Sequence, residues 1–396
     1  MGGGYLKLKD TNNETNLISA NSLKENNLIG VYIEDGSSYT KVDQIPAGYT
    51  LNEEKSYCKI GEEKQDITIT YDMNTKNLTI RPLTTKGTKC YLYFDEQKIL
   101  LAEAIKRDNQ INSETPDFSQ VATTNEGVYK AEDDWGDSYY FRGAVENNYV
   151  KFAGYYWRII RINGDGSIRI IYDGTSAHAN GESSNDRQIG NTVYNNLRND
   201  NAYVGYMYTS GQVHGLGTDS TIKDVLDNWY TSNLQNYADK IDGNAGFCND
   251  RMQHYGTGIG ASSTDYATYN RLINNKIPSF ECSNSNDLFT TKESSEGNKS
   301  LQYPIGLITA DEVAYAGGVE GISNTSYYLY TNNEYWTMSP YRYKSNAFVF
   351  YVSSSGSLNS AKRVDASYGI RPVINLKSTV QITGGNGLKD TPYIIN

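Results

Sequence analysis

At 396 residues the chain is too long for one ordinary hydrophobic core, and length alone sets an expectation of two or three domains. Its formal net charge of −10, with no cluster of lysine and arginine, excludes a nucleic-acid footprint. No apolar run approaches the length of a bilayer crossing, and no signal peptide opens the sequence, so any membrane anchor is expected upstream of residue 1.

The opening Met1-Gly2-Gly3-Gly4 resembles an added leader, and the carboxyl end carries no Leu-Pro-x-Thr-Gly sorting phrase. From Tyr5 to Leu100 the signals are short and β-like: Leu28–Ile33, Ile67–Tyr71, Leu78–Ile80 and Cys90–Phe94, with a hairpin turn expected over Asp72–Asn77. A small antiparallel sandwich of the Ig-like type over residues 1–100 accounts for this pattern. Residues 101–126 read as a linker or short helix, with a packed extension of the next domain as the alternative. From Gly127 the chain turns aromatic. Tyr155–Ile162 and Ser167–Tyr172 flank Asn163-Gly164-Asp165-Gly166, a hairpin whose turn lacks calcium-loop spacing.

A short helical piece is expected near Thr192–Leu197. Ile222, Val225, Leu226, Trp229, Leu234, Tyr237 and Ile241 recur at helical spacing behind a cap at Ser220 or Thr221. After a Gly/Ser-rich insertion over residues 243–300, Thr309 and Glu312 form a capping-box pattern, and Gly317-Gly318 stop that helix. Residues 380–395 read as strand, glycine turn, strand.

The four cysteines have no CxxC or Cys/His metal spacing. Two disulfides, Cys58 with Cys90 and Cys248 with Cys282, are the economical reading, with four buried thiols as the alternative. The three histidines, His178, His214 and His254, sit in Gly/Asn/Ser-rich loops and read as surface residues. Asp133, Asp134 and Asp137 read as a solvated acidic turn rather than a calcium loop. Tyr156, Trp157, Trp229 and Trp336 read as core. No cofactor or metal is expected.

The usage of 35 Tyr against 9 Phe, with abundant Asn, Ser and Gly, is that of adaptable contact surfaces, although strands also favour Tyr. Between Trp336 and Gly369-Ile370-Arg371-Pro372 lies a run of polar-tipped and aromatic side chains. Tyr341, Arg342, Tyr343, Asn346, Tyr351, Asn359, Lys362, Arg363, Asp365 and Tyr368 are the candidate ligand contacts, with Phe348 and Phe350 as core.

Taken in order, Tyr156-Trp157-Arg158-Ile159, Thr309-Ala310-Asp311-Glu312-Val313-Ala314-Tyr315-Ala316-Gly317-Gly318, Tyr335-Trp336-Thr337-Met338-Ser339-Pro340 and Gly369-Ile370-Arg371-Pro372-Val373 form one series. This series resembles the C-type-lectin fold, in the branch related to the formylglycine-generating enzyme and to surface proteins of Gram-positive gut bacteria. The resemblance covers residues 127–376 and implies an α+β C-type-lectin-like domain over 127–396. The enzymatic members use a reactive cysteine pair late in the fold, and here no cysteine follows Cys282. Variable ligand-binding proteins diversified by retroelements share the fold and carry their changing side chains where Tyr341–Tyr368 lies. The resemblance therefore implies an adhesin-like, non-enzymatic protein on a Gram-positive cell surface, whose partner is a protein or glycan of a host or microbial surface. An oxidase of the formylglycine-generating type and a structural or pilus subunit are the alternatives.

Overall fold

The computed structural model describes residues 28–46, 48–72, 77–81, 87–96 and 99–396. The chain divides into two compact units, one built on residues up to Ile99 with Ile382–Gly384, the other on Leu100–Gln381 with Gly385–Asn396.

The first unit is all β. Strands β1 (Leu28–Asp35), β2 (Ser38–Val42), β3 (Tyr49–Leu51), β4 (Tyr57–Ile60), β5 (Glu63–Gln65) and β8 (Lys89–Glu96) form one sheet in the order β2-β1-β8-β4-β5, with β3 also on β8. Strands β6 (Thr68–Asp72) and β7 (Asn77–Arg81) form a separate antiparallel hairpin. The turn expected between these two is residues 73–76, outside the described residues. Alternation makes the core: Cys90, Leu92 and Phe94 of β8 point inward onto Ile69, Leu78 and Ile80 of the hairpin. The intervening Tyr91 and Tyr93 stack with Tyr57 and Tyr32 as a cross-strand tyrosine ladder, ring centroids 5.0–6.4 Å apart. Cys58 and Cys90 oppose each other in the β4/β8 register and are disulfide-bonded.

The short helix expected in residues 101–126 is present, and the segment packs within the second unit rather than serving as a linker. Helix α1 (Leu101–Asp108) opens the second unit with Leu101, Ala104 and Ile105 buried, Asn109 accepts from Asn147, and Ala122 is fully buried with its N–H on Gly317 O. Here the packed extension holds, because the helix carries an apolar stripe that polar flanks obscure in the sequence.

Two larger sheets dominate this unit. One is centred on the hairpin Tyr155–Ile162/Ile168–Gly174, with Val373–Leu376 antiparallel to Ile168–Gly174 and Tyr393–Ile394 parallel to Tyr149–Phe152. The other contains Tyr335–Tyr343, Ala347–Val352, Leu358–Arg363, Ser367–Gly369, Asn191–Val193 and Thr264–Tyr266. The expected helical piece at 192–197 is thus a strand edge, Thr192 pairing with Tyr368. Helix α2 (Thr221–Asn233) begins after Ser220, but that hydroxyl donates to Tyr206 O rather than capping, and Tyr237 lies in a separate 3₁₀ turn. The short helix α3 (Ala267–Tyr269) runs on into a π-helical turn, Asn270–Asn275. Helix α4 (Ala310–Tyr315) carries the expected capping box, Thr309 Oγ1 accepting from Glu312 N and Glu312 accepting from Thr309 N. Gly317 ends it at φ +107°, where a Cβ would lie 2.4 Å from that of Ala122.

Buried arginines tie these elements together. Arg142 donates to Ala314 O and Tyr315 O at the carboxyl end of α4, the first of which also accepts the Gly317 N–H. Asp173 is enclosed between Arg187, with an N–O distance of 2.7 Å, and Arg371 at 2.8 Å, all three side chains fully buried. Arg371 also donates to Tyr172 O and Leu329 O. The closing Gly369-Ile370-Arg371 phrase is therefore a clamp between the two sheets. Of the expected core aromatics, Trp157 and Trp336 are fully buried, whereas Tyr156 and Trp229 are half-buried, Tyr156 beneath Lys151 and Trp229 against Tyr155, Trp157 and Tyr172.

Candidate functional site

The candidate residues of the 341–368 stretch fall into three clusters. In the first, Tyr341 and Arg342 end the strand Tyr335–Tyr343, where the register sets Arg342 opposite Asp265 on one side and Phe348 on the other. Arg342 Nε lies 3.1 Å from Asp265 Oδ1, and the guanidinium carbon sits 4.8 Å from the Tyr269 ring centroid and 4.6 Å from that of Tyr341. The two rings are 5.4 Å apart at 40°, and Tyr341 meets Phe350 edge-on at 5.2 Å. Burial pushes the Tyr341 phenol above its ordinary pKa, Ser360 partly offsetting it. Arg342 and Asp265 each keep about a quarter of their side-chain surface exposed.

In the second cluster, Lys362 Nζ lies 4.5 Å from the Tyr368 ring centroid and 5.1 Å from that of Tyr351, with Glu334 at 3.5 Å. Tyr368 stacks on Tyr351 and is met edge-on by Trp336, whose indole N–H donates to Thr192 O. In the third, Asp365 accepts from Arg363 and pairs with Arg198, which also donates to Asn346 Oδ1. Asn346 and Asp365 thereby fasten the hairpin to the distant segment around Arg198, and Arg363 bonds locally to Asp365, a structural task. Asn359 lies half-buried opposite Tyr351, its carbonyl taking the Ser360 N–H.

Three expectations are corrected here. Tyr343 is 2% exposed and Tyr351 5%, so neither is a surface contact; the alternation at the end of the strand turns Tyr343 inward, and Tyr368 covers Tyr351. Phe348, expected as core, is half-buried, while Phe350 is fully buried. His178 is no surface histidine: it is 4% exposed, with Nδ1 2.8 Å from Glu182 and Nε2 2.8 Å from Asp186. His214, half-buried, faces the buried Asp287 at 2.9 Å, and His254 is exposed.

The acidic turn has also separated into individual roles. Asp133 is buried against Arg161 and the Gly164 N–H, Asp137 pairs with Lys130, and Asp134 accepts the Cys282 N–H. Beside it lies a charged concavity lined by Arg161, Arg169, Arg271, Asp250, Asp311 and Glu312. Most of its charges are paired within the protein, Glu312 with Arg161 and Arg169, Asp311 and Asp250 with Arg271, while Asp134 on the same lining accepts the Cys282 N–H. It is a structural ion network.

Sequence reasoning missed Asp265 and Tyr269. They come from the insertion over 243–300, which shows no periodicity; Asp265 reaches Arg342 through strand pairing across more than seventy positions, and Tyr269 through the helix α3 that follows. The insertion therefore completes the first cluster. The disulfide Cys248–Cys282 closes around it, enclosing both residues.

A family model described as a domain of unknown function (DUF6273) matches residues 262–378. No curated protein and no solved structure matches the chain. The DUF6273 segment takes in Asp265, Tyr269, Tyr341, Arg342, Lys362 and Tyr368, that is, both aromatic clusters and the strands that carry them. It also includes α4 and the Arg371 clamp. The two disulfides point to an oxidising compartment, and no described helix is long and apolar enough to cross a membrane.

Proposed function

We propose that the second unit is a C-type-lectin-like binding module, carried behind an Ig-like stalk on the surface of a Gram-positive bacterium, and that it binds a ligand rather than turning one over. The observation that carries this reading is the first cluster. Two half-exposed tyrosine rings and a guanidinium stand together, Tyr341 and Arg342 on a strand and Tyr269 on the short helix α3 beside it, with the Tyr341 ring backed by Phe350. Such side chains offer apolar area and polar tips at low ordering cost, which is what adaptable recognition surfaces use. The disulfides support export, and the stretch from Tyr341 to Tyr368 fits the place where retroelement-diversified proteins vary. A reverse-transcriptase gene beside a near-repeat of that coding stretch is the expected gene context.

The test is adhesion of the purified chain to host and microbial surfaces, compared with a Tyr269→Ala, Tyr341→Ala, Arg342→Ala variant. At about 1–2 kcal/mol for each truncated contact, the triple change lowers affinity by roughly a hundredfold or more. Unchanged adhesion by a variant with wild-type thermal unfolding sinks this surface. Turnover of a cysteine-containing peptide under oxygen, with copper or calcium supplied, would replace the binding reading with the oxidase one.

A further inference from the structure

The second unit holds arginines at positions 107, 142, 158, 161, 169, 187, 198, 251, 271, 342, 363 and 371. All but one donate hydrogen bonds to carboxylates, side-chain amides or backbone carbonyls, as Arg142, Arg158, Arg251 and Arg371 illustrate. Arg342 is the exception: among the described residues no acceptor takes a hydrogen bond from its guanidinium. Its Nε is enclosed without a hydrogen-bond partner, and Asp265 stands beside it as an ion pair only. The side chain keeps 26% of its surface exposed, while the Tyr269 and Tyr341 rings both lie on one flank of the group, 4.8 and 4.6 Å from its carbon and with their own centroids 5.4 Å apart. A guanidinium fixed by rings and left with a free outer edge is preorganised for a bidentate partner, and a carboxylate is the planar anion that matches it.

The surroundings restrict what carries that carboxylate. Asp265 lies against the same group, Glu320 takes part in the neighbouring hydrogen bond to Ser360, and the chain as a whole carries −10. A run of negative charges is repelled there, whereas one isolated carboxylate on a neutral polar body is accommodated. The tilted tyrosine rings offer flat apolar faces of the kind that pack against the C–H face of a pyranose, and their hydroxyls meet its polar edge. We infer that Arg342 is the receptor for a single carboxylate borne on a sugar, with Tyr269 and Tyr341 taking the face of the sugar ring. This rests on the binding reading above and gives it a ligand class, an acidic glycan.

The experiment compares methyl β-D-glucuronide with methyl β-D-glucoside, which differ only in the carboxylate, by ligand-observed NMR on the full chain. The glucuronide is expected to bind roughly tenfold or more tightly than the glucoside, and Arg342→Gln to erase that difference. Arg342→Lys keeps the charge, loses the fork, and is expected to fall between the two. Equal binding of the two glycosides, or a preference that survives Arg342→Gln, overturns the inference. So does acetate competing as well as the glucuronide, since the site would then read the anion alone, and so does a stronger Arg342-dependent response from a peptide carboxyl terminus. Absence of any glycoside response overturns it too. If adhesion still depends on Tyr269 and Tyr341 in that case, the binding reading stands without the sugar.

Discussion

Asp173→Asn isolates the charge at the clamp between the two sheets while keeping its shape. Asp173 Oδ1 accepts from Arg187 Nε at 2.9 Å and from Arg371 Nη2 at 2.8 Å, and lies 2.7 Å from Arg187 Nη2. Its other oxygen has no hydrogen-bond partner, so the amide of the variant exchanges one unsatisfied buried atom for another. The dominant loss is therefore electrostatic: two guanidinium groups with no exposed side-chain surface are left without their counter-charge. Removing one partner of a buried pair costs about 3–5 kcal/mol, and since the oxygen acceptor survives, the expected loss lies near 3 kcal/mol. In a unit of this size that lowers Tm by roughly 6–12 °C. The four tryptophans, Trp135, Trp157, Trp229 and Trp336, all belong to the second unit, so their fluorescence follows its unfolding separately from the first. A loss below about 1 kcal/mol would mean that the arginines find solvent, and the clamp argument would fall.

Gly369→Ala sets a Cβ 2.0 Å from Gln188 Oε1 and 2.7 Å from Glu334 O; the glutamine can swing away but the backbone carbonyl cannot. Thermal unfolding is expected to show a loss of about 1–3 kcal/mol. Cys248→Ser with Cys282→Ser opens a loop with a sequence separation of 34, for which chain entropy gives a loss of about 3–4 kcal/mol in denaturant titration, with the Cys58–Cys90 bridge intact as control. Burial pushes the phenols of Tyr172 and Tyr230 up to about 12. Groups raised in the fold stabilise it fully below their unfolded pKa of about 10, and that contribution disappears as pH rises through about 12. Ultraviolet titration should therefore show these two phenols ionising only near pH 12 or on unfolding.

What was legible in the sequence was local. The Asn163–Gly166 turn and the Thr309/Glu312 capping box are written within a few residues, and each appears where local chemistry places it. Ser220 shows the limit of such reasoning: it occupies the cap position, yet its hydroxyl is taken by Tyr206 O, a partner that only the tertiary fold supplies. The tyrosine excess was the least transparent signal. Among the described residues fifteen tyrosines are buried, and several place their hydroxyls on backbone carbonyls, such as Tyr149 on His178 O, Tyr206 on Ile305 O and Tyr335 on Leu329 O. Much of what reads as a contact-surface composition is a core that uses Tyr where Phe would leave those carbonyls unpaired. Of the display stretch, Tyr341, Arg342, Lys362 and Tyr368 are half-exposed in aromatic clusters, while Asp265 and Tyr269 carry no local signal because their pairing is non-local.

The Cys248–Cys282 bridge gives the insertion a durability that its loop-rich sequence does not suggest. Asp265 and Tyr269 lie inside the covalent ring, so a protease that cuts once between the two cysteines opens the chain without detaching either half. The nicked molecule keeps its mass until it is reduced, and strand pairing of Asp265 with Arg342 holds the severed end in register. The cluster around Arg342 would outlast the first scission.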